Sequence, residues 1–450
     1  MTAVVRFAPS PTGNIHIGNL RAALINYLFA LKEGGEFILR IDDTDQERSK
    51  EEYVTSIMED LEWLGLKYAQ TFRQSSRFDR YEVAADLLKK TGRLYPCYET
   101  ADELDFMRKR QLSQGKPPIY NRQALDLTAE QIKKYEGEGR KPHWRFKLLS
   151  TDIEWTDLIR GEVRFNGANL SDPVLIREDG IPLYTLPSVV DDMDYGVTHI
   201  VRGEDHVTNT AVQIQILEAL ETLPGIKTAK MTYGHFTLIA DADGKGFSKR
   251  LGSLSIQSLR GQGIEPMAIH SLLAKLGTSD PMEPYLSLQD LANSLDFSKF
   301  SRATPKFDVA DLERMNTKYL HHLPFKAIEA RLRENIPDIT EEFWKAVGGN
   351  VNHLAEIRQW WDVCHKELNP IVEEPDYIKL ALDTLPVSSW DVETWTNWTN
   401  ILKEKTGRKG KELFMPLRLA ITGESHGPDM KAFLPLIDKA LVIKRLGTAR

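Results

Sequence analysis

The first 42 residues hold the feature that most limits how this chain can fold. Val4 to Ala8 (VVRFA) is a short apolar run of the length of a buried strand. From Ile17 the apolar positions Leu20, Ala23, Leu24, Tyr27, Leu28 and Leu31 recur at helical spacing, and Gly34-Gly35 supplies a C-terminal stop. Glu36 to Asp42 (EFILRID) has the composition of a second strand. Two strands joined by one helix make a βαβ crossover, which commits the chain to a parallel sheet. The stretch between the first strand and the helix reads PSPTGNIHIGN, residues 9 to 19. It lies at the carboxyl end of a strand and the start of a helix, where open α/β sheets bind ligands.

The residue types in that turn fit an anion. A helix N-terminus presents unpaired N–H groups and a partial positive charge. Gly13 and Gly18 let the backbone come close to a phosphate. His16 can donate a hydrogen bond or carry charge, and Asn19 adds a neutral amide donor. The same stretch could also be a turn in which proline and glycine only shape the backbone, so these residues alone leave both uses open.

The remaining chain adds a division of labour. Helical spacing marks residues 53–64 and 78–88, and residues 141–185 are irregular and rich in strand-like runs (HWRFKL, GEVRF, DPVLIRED, IPLYTL). Val197 to Arg202 (VTHIVR) reads as a strand rejoining the parallel sheet, and a helix follows over 209–220. Beyond about Glu265 the pattern is almost wholly helical, interrupted near residues 300 to 310 by SKFSRATPKFD. At 450 residues, 41% hydrophobic and 27% charged, the chain has room for two to four globular domains. Its net charge of −7 does not advertise nucleic acid, although a local basic stripe can sit inside an acidic total. Two cysteines, Cys97 and Cys364, make neither a disulfide framework nor a four-cysteine zinc site. With no leader-like start and no long apolar run, a cytoplasmic protein without a membrane span is expected.

RFAPSPTGNIHIGN resembles the first signature of class I aminoacyl-tRNA synthetases, and its FAPSPTG lead-in resembles that of the bacterial glutamyl enzymes. Asn19 stands where the motif has its second histidine, which leaves His16 as the only titratable donor there. A second stretch, DADGKGFSKRLGS at 241–253, is similar to the family's Lys-Leu-Ser-Lys-Arg loop, with Gly246, Phe247, Ser248, Lys249 and Arg250 aligned. A lysine placed where charge builds on a departing pyrophosphate lowers the barrier more than it helps ATP bind. A P-loop is excluded, because the glycine five residues upstream of GK is missing.

The resemblance implies an α/β fold: a Rossmann-type parallel-sheet catalytic domain in two halves (1–75 and 189–240), an inserted acceptor-end-binding domain (76–188), a stem-contact region with the second loop (241–305) and an all-α anticodon-binding region (306–450). It implies a glutamate site, for which arginine suits the two carboxylates and an acid suits the ammonium. Matching positions are Arg6, Ala8, Ser10, Asp42, Tyr184, Ser188 and Arg202, with Asp42 where many relatives have glutamate. For ATP the matching positions are Pro9, Thr12, Gly13, His16, Gly18 and Asn19 in the turn. Asp205 in RGEDH, Leu238 and Ile239, and Ser248, Lys249 and Arg250 complete them. His16 and Lys249 are the expected catalytic pair. Mg²⁺ is expected with ATP, held by the phosphates rather than by a protein cage. Some bacterial relatives carry zinc in the inserted domain; here no second cysteine follows Cys97 until Cys364, so no zinc is expected and Cys97 is read as a packed thiol.

On the RNA side, GRKGKELFMPLRLAITGESHGPDM resembles the end of the family's anticodon-binding domain. Arg408, Lys409, Lys411 and Arg418 form a candidate basic patch, with Lys444, Arg445 and Arg450 at the C-terminal end. Trp360, Trp361, Trp390, Trp395 and Trp398 are candidates either for stacking on unpaired bases or for helix-packing core. The partners implied are L-glutamate and tRNA(Glu), the chain acting as a monomer. Two alternatives stay open. One is an enzyme that charges tRNA(Gln), as well or instead, for an amidotransferase; Gly246-Phe247 and Ser188 give the chain an atypical look that fits it. The other is a non-catalytic RNA-binding protein on the same scaffold, against which His16 and Lys249 argue.

Overall fold

A computed structural model describes residues 2–221, 230–241 and 254–448. The chain forms two compact units, one of residues 1–261 with 270–308, the other of 262–269 with 309–450.

The first unit opens with the expected crossover. Strand β1 (Val4–Phe7) leads through the turn into helix α1 (Ile17–Glu33), and β2 (Glu36–Ile41) returns parallel to β1. Helix α1 buries Ile17, Leu20, Ala23, Leu24, Ile25 and Leu28, so its apolar stripe covers the sheet. It stops at Gly34, whose φ of 59° is left-handed and whose N–H returns to Ala30 O. After α2 (Glu51–Trp63), strand β3 (Gln70–Arg73) adds to β2, again parallel.

Helix α3 (Phe78–Lys90) then leads into β4 (Leu94–Cys97), α4 (Ala101–Ser113) and α5 (Ala129–Gly137). Strand β5 (His143–Phe146) pairs antiparallel with β4 and with β8 (Val174–Ile176), a separate small sheet. Between them, β6 (Asp152–Asp157) and β7 (Gly161–Asn166) form a hairpin. This hairpin does not stay with the small sheet: β6 pairs parallel with the later strand over residues 232–236. Nor is IPLYTL a strand, since helix α6 (Thr185–Asp194) begins inside it.

Strand β9 (His199–Gly203), helix α7 (Val207–Glu221) and β10 (Thr232–Phe236) complete the second half of the catalytic sheet, in the order β7-β6-β10-β9. Thr198 N–H donates to Val4 O at 2.9 Å and Val4 N–H to Thr198 Oγ1 at 2.8 Å, so β9 enters alongside β1. The first strands of the two halves are therefore neighbours, and their carboxyl ends face one crevice. Among the described residues no helix is long and apolar enough to cross a membrane.

The second unit is helical. Its core includes Phe343, Cys364, Ile378, Trp398, Leu417 and Phe433, all at most 2% exposed.

Candidate active site

The turn after β1 is fastened from both sides. Asp42 N–H donates to Pro9 O at 2.9 Å and Lys50 N–H to Pro11 O at 3.1 Å, which joins the end of β2 to the turn. His16 caps α1: its Nδ1 accepts from Gly18 N–H at 3.1 Å. Because Nδ1 accepts, the ring proton sits on Nε2, and burial holds the imidazole below its ordinary pKa. At neutral pH His16 is thus a neutral donor. Gly18 has a use the sequence did not reveal: a Cβ there would stand 2.9 Å from His16 Cε1, so this glycine makes room for the ring. Around Gly13 the space is open, which leaves its backbone approachable.

On the other side, His16 forms an antiparallel bridge with Ser255, and Ile256 N–H donates to Ile15 O at 3.1 Å. The chain leaving the second loop therefore runs against the turn. Ser248, Lys249 and Arg250 lie outside the described residues.

A cavity of about 1130 Å³ opens at the carboxyl ends of β1, β2, β9 and β10. Arg6, Ala8, Pro9, Ser10, Thr12, Gly13, His16, Gly18 and Asn19 line it from the first strand and turn. Asp42, Tyr184, Arg202, Asp205, Leu238 and Ile239 line the rest. Ser188 does not. It is fully buried, and its Oγ accepts from Arg40 Nη2 at 3.1 Å.

Arg40 is a residue that sequence reasoning missed. Its Nε and Nη2 fork onto Asp42, at 2.6 and 3.1 Å, and its Nη1 donates to Asp192 Oδ1 at 3.0 Å. Asp192 also takes Arg6, Nε at 3.0 Å and Nη2 at 3.3 Å. Burial pushes the Asp42 carboxyl up to about 6, against the pull of Arg40. A signal for Arg40 was present: a charged residue in the middle of a parallel strand is buried on both faces, and needs partners there.

Arg202 is held differently. Its Nη1 donates to the Tyr184 hydroxyl at 3.0 Å, and its Nη2 donates to Thr210 Oγ1 and Gln213 Oε1, both at 2.6 Å. It is 6% exposed and its Nε has no partner. Desolvation lowers its pKa, and the field of Asp192 is one of the weaker influences on it. Among the described residues, no carboxylate forms an ion pair with Arg202.

Two further features shape the crevice. Arg21, on α1, donates to Thr237 O at 2.7 Å and Leu276 O at 2.6 Å, which anchors the segment carrying Leu238 and Ile239. A Cβ at Gly203 would stand 2.5 Å from Asp205 Oδ1 and 2.8 Å from Leu238 Cδ2, so only glycine lets both close over the end of β9.

Near β4, Cys97, Glu99 and His143 place one donor atom each within 4.8 Å of one another. Burial pushes the Cys97 thiol up to about 12, so it resists becoming the thiolate that a metal needs. The Tyr120 hydroxyl donates to Glu99 Oε1 at 2.6 Å and lies 3.8 Å from Cys97 Sγ. Three donors with a hydroxyl among them do not match a closed four-ligand zinc site.

In the second unit the tryptophans divide. Trp360, Trp395 and Trp398 are buried core, and Trp398 Nε1 donates to Ala381 O at 3.1 Å. Trp361 is half-buried and stacks on His365, and Trp390 is half-buried with Nε1 on Pro386 O. Lys409 and Lys411 are exposed, whereas Arg408 pairs with Glu374 and Arg418 donates to Pro428 O. Arg445 is not a free basic end: it is 2% exposed and donates to Ile421 O, Val363 O and Lys366 O. Lys444 pairs with Glu367, and Arg450 lies outside the described residues.

Comparison with known proteins identifies the family. Residues 2–314 match the family model for the catalytic domain of class I tRNA synthetases (E and Q), and residues 364–450 match an anticodon-binding domain. The chain is 53% identical over 448 residues to a glutamate–tRNA ligase of Azospirillum brasilense, covering 99% of each. It is 51% identical over 443 residues to glutamate–tRNA ligase 1 of Maricaulis maris, covering 98% of each. Its fold is similar to the crystal structure of a glutamate tRNA ligase from Elizabethkingia meningosepticum in complex with its amino acid. The TM-score is 0.83 at 27% identity, over 100% of this chain and 99% of that one. With matching domains along the chain and relatives half identical over nearly its full length, the protein belongs to the glutamate–tRNA ligase family of class I aminoacyl-tRNA synthetases.

Proposed function

We propose that this chain activates L-glutamate with ATP and transfers it to tRNA(Glu). The α-carboxylate attacks the α-phosphate, the P–O bond to the β-phosphate breaks, and pyrophosphate leaves. The glutamyl-adenylate is then attacked by the 2′-hydroxyl of the terminal adenosine, and AMP leaves. No side chain is needed as a covalent nucleophile; the work is positioning and charge stabilisation.

The observation that carries the reading is the charge balance of the cavity. Arg6, Arg40 and Arg202 face it, while the carboxylates bonded to them are Asp42 and Asp192, and Asp191 beyond them is shared with Arg77. Of the three, Arg202 is the one with no carboxylate bonded to it among the described residues. Glutamate, with two carboxylates and one ammonium, supplies one net negative charge. Glutamine does not.

In this reading Asp42 takes the ammonium, Arg6 and Arg202 take carboxylates with the Tyr184 hydroxyl beside Arg202, and Ala8 and Ser10 approach from the turn. Ser188 acts only by holding Arg40. The triphosphate lies over Pro9, Thr12, Gly13 and the α1 N-terminus, with His16 donating through Nε2 and Asn19 adjoining. Asp205 faces the ribose, and Leu238 and Ile239 pack on the adenine. Lys249, with Ser248 and Arg250, neutralises the departing pyrophosphate. Mg²⁺ travels with ATP and screens its phosphates. A single chain holds every described group, so a monomer suffices.

The test is charging of purified tRNA(Glu) and tRNA(Gln) transcripts with labelled glutamate. Charging of tRNA(Glu) is expected. Charging of tRNA(Gln) alone would reassign the acceptor, and charging of neither would defeat the reading.

A further inference from the structure

Arg202 owes its uncompensated charge to its neighbours. Each acceptor it bonds is neutral: the Tyr184 hydroxyl, Thr210 Oγ1 and the Gln213 amide oxygen. Thr210 and Gln213 sit on α7, one helical turn apart, and both meet the same Nη2. Gln213 is 3% exposed, and its Nε2 has no partner, so it is held in place for the sake of its oxygen.

Behind Thr210 a chain of hydrogen bonds leads to an acid, Asp157. Thr210 Oγ1 lies 2.9 Å from His235 Nε2, and His235 Nδ1 lies 2.5 Å from Asp157 Oδ2. Asp157 is already satisfied as an anion, since its Oδ1 accepts from the N–H groups of Ile159, Arg160 and His235, each at 3.0 Å. His235 therefore keeps its proton on Nδ1 for Asp157, and the Thr210 hydroxyl gives its one proton to His235 Nε2 or to His206 O, 3.2 Å away. The Thr210 oxygen is then free to accept from Arg202. Two neutral groups separate Asp157 from the guanidinium, in contrast to Arg6 and Arg40, which bond directly to carboxylates.

We infer that Gln213 is a specificity-determining residue: as a neutral acceptor on Arg202 it leaves that guanidinium's charge for the substrate's side-chain carboxylate, and so sets the preference for glutamate over glutamine. A carboxylate at 213 would have nearly the same shape and reach the same nitrogen. It would neutralise Arg202 and remove the reason to prefer an anionic substrate. The inference rests on Arg202 taking the side-chain carboxylate of glutamate.

The experiment compares Gln213→Glu with wild type, measuring kcat/KM for L-glutamate and for L-glutamine in tRNA-dependent ATP–pyrophosphate exchange. For glutamate we expect a fall of about 100-fold, and for the glutamate-to-glutamine ratio a fall of at least about 10-fold. Gln213→Leu removes the hydrogen bond without adding charge; it should raise the KM for glutamate by about 3- to 10-fold and leave the ratio within about 3-fold of wild type. Should Gln213→Glu not fold, Thr210→Asp brings a carboxylate to the same Nη2 and carries the same expectation. Equal losses for both amino acids in the charged variant, with an active wild type, would overturn the inference alone. A wild type that does not exchange with glutamate would overturn the function on which it rests.

Discussion

At the scale of single residues, the site is governed by which charges are left over. Asp42 is bonded through both oxygens to Arg40, yet burial lifts its carboxyl to about 6. Only the ionised form takes an ammonium, so glutamate binding should weaken as pH falls through that value. Between pH 7 and pH 5 the KM for glutamate should rise by about 10-fold, with the KM for ATP nearly constant; steady-state kinetics at fixed ionic strength checks it. His270 gives a stability prediction of the same kind. It is fully buried with Nε2 on Leu64 O at 2.8 Å, and burial lowers its pKa from 6.5 to about 4. Between those values the unfolded chain binds a proton that the native chain does not. Stability should thus be intact above pH 6.5 and fall by up to about 3 kcal/mol as pH drops to 4. Urea unfolding of wild type and His270→Gln across that range should show a shallower slope in the variant.

At the scale of elements, the β1–α1–β2 unit decides where the site lies. Its return point is tight: a Cβ at Gly35 would stand 2.2 Å from the Ala3 carbonyl oxygen, and Glu36 N–H bonds that same oxygen at 2.7 Å. Backbone cannot yield there without moving β1 against β2. Gly35→Ala should therefore cost about 2 kcal/mol or more, read by denaturant unfolding. This unit was legible because its signals are local: apolar spacing along α1, two glycines at its end, a turn rich in proline and glycine. The β6–β7 hairpin was placed in the insertion because strand pairing with β10, some 75 residues on, leaves no trace in local pattern. The site residues that line the cavity were legible through the motifs that carry them. Arg40 is marked only by its charge within a buried parallel strand, and Gln213 sits on a helix with nothing local to mark it. Three of the five tryptophans proved to be core, as large aromatic residues on packed helices often are.

At the scale of the whole molecule, one unit carries the crevice and the other a helical body that matches an anticodon-binding domain. In the helical unit the buried and paired arginines leave Lys409 and Lys411 as the exposed part of the expected basic patch. The double variant Lys409→Ala/Lys411→Ala should raise the KM for tRNA by about 10-fold and leave the KM for glutamate unchanged, with a shallower salt dependence. The crevice and the helical body make a glutamate–tRNA ligase. Charging of a purified tRNA(Glu) transcript with labelled glutamate and labelled glutamine tests it most directly. ATP-dependent attachment of glutamate and rejection of glutamine are expected; a folded protein that attaches neither to tRNA(Glu) or tRNA(Gln), or that prefers glutamine, would contradict this function.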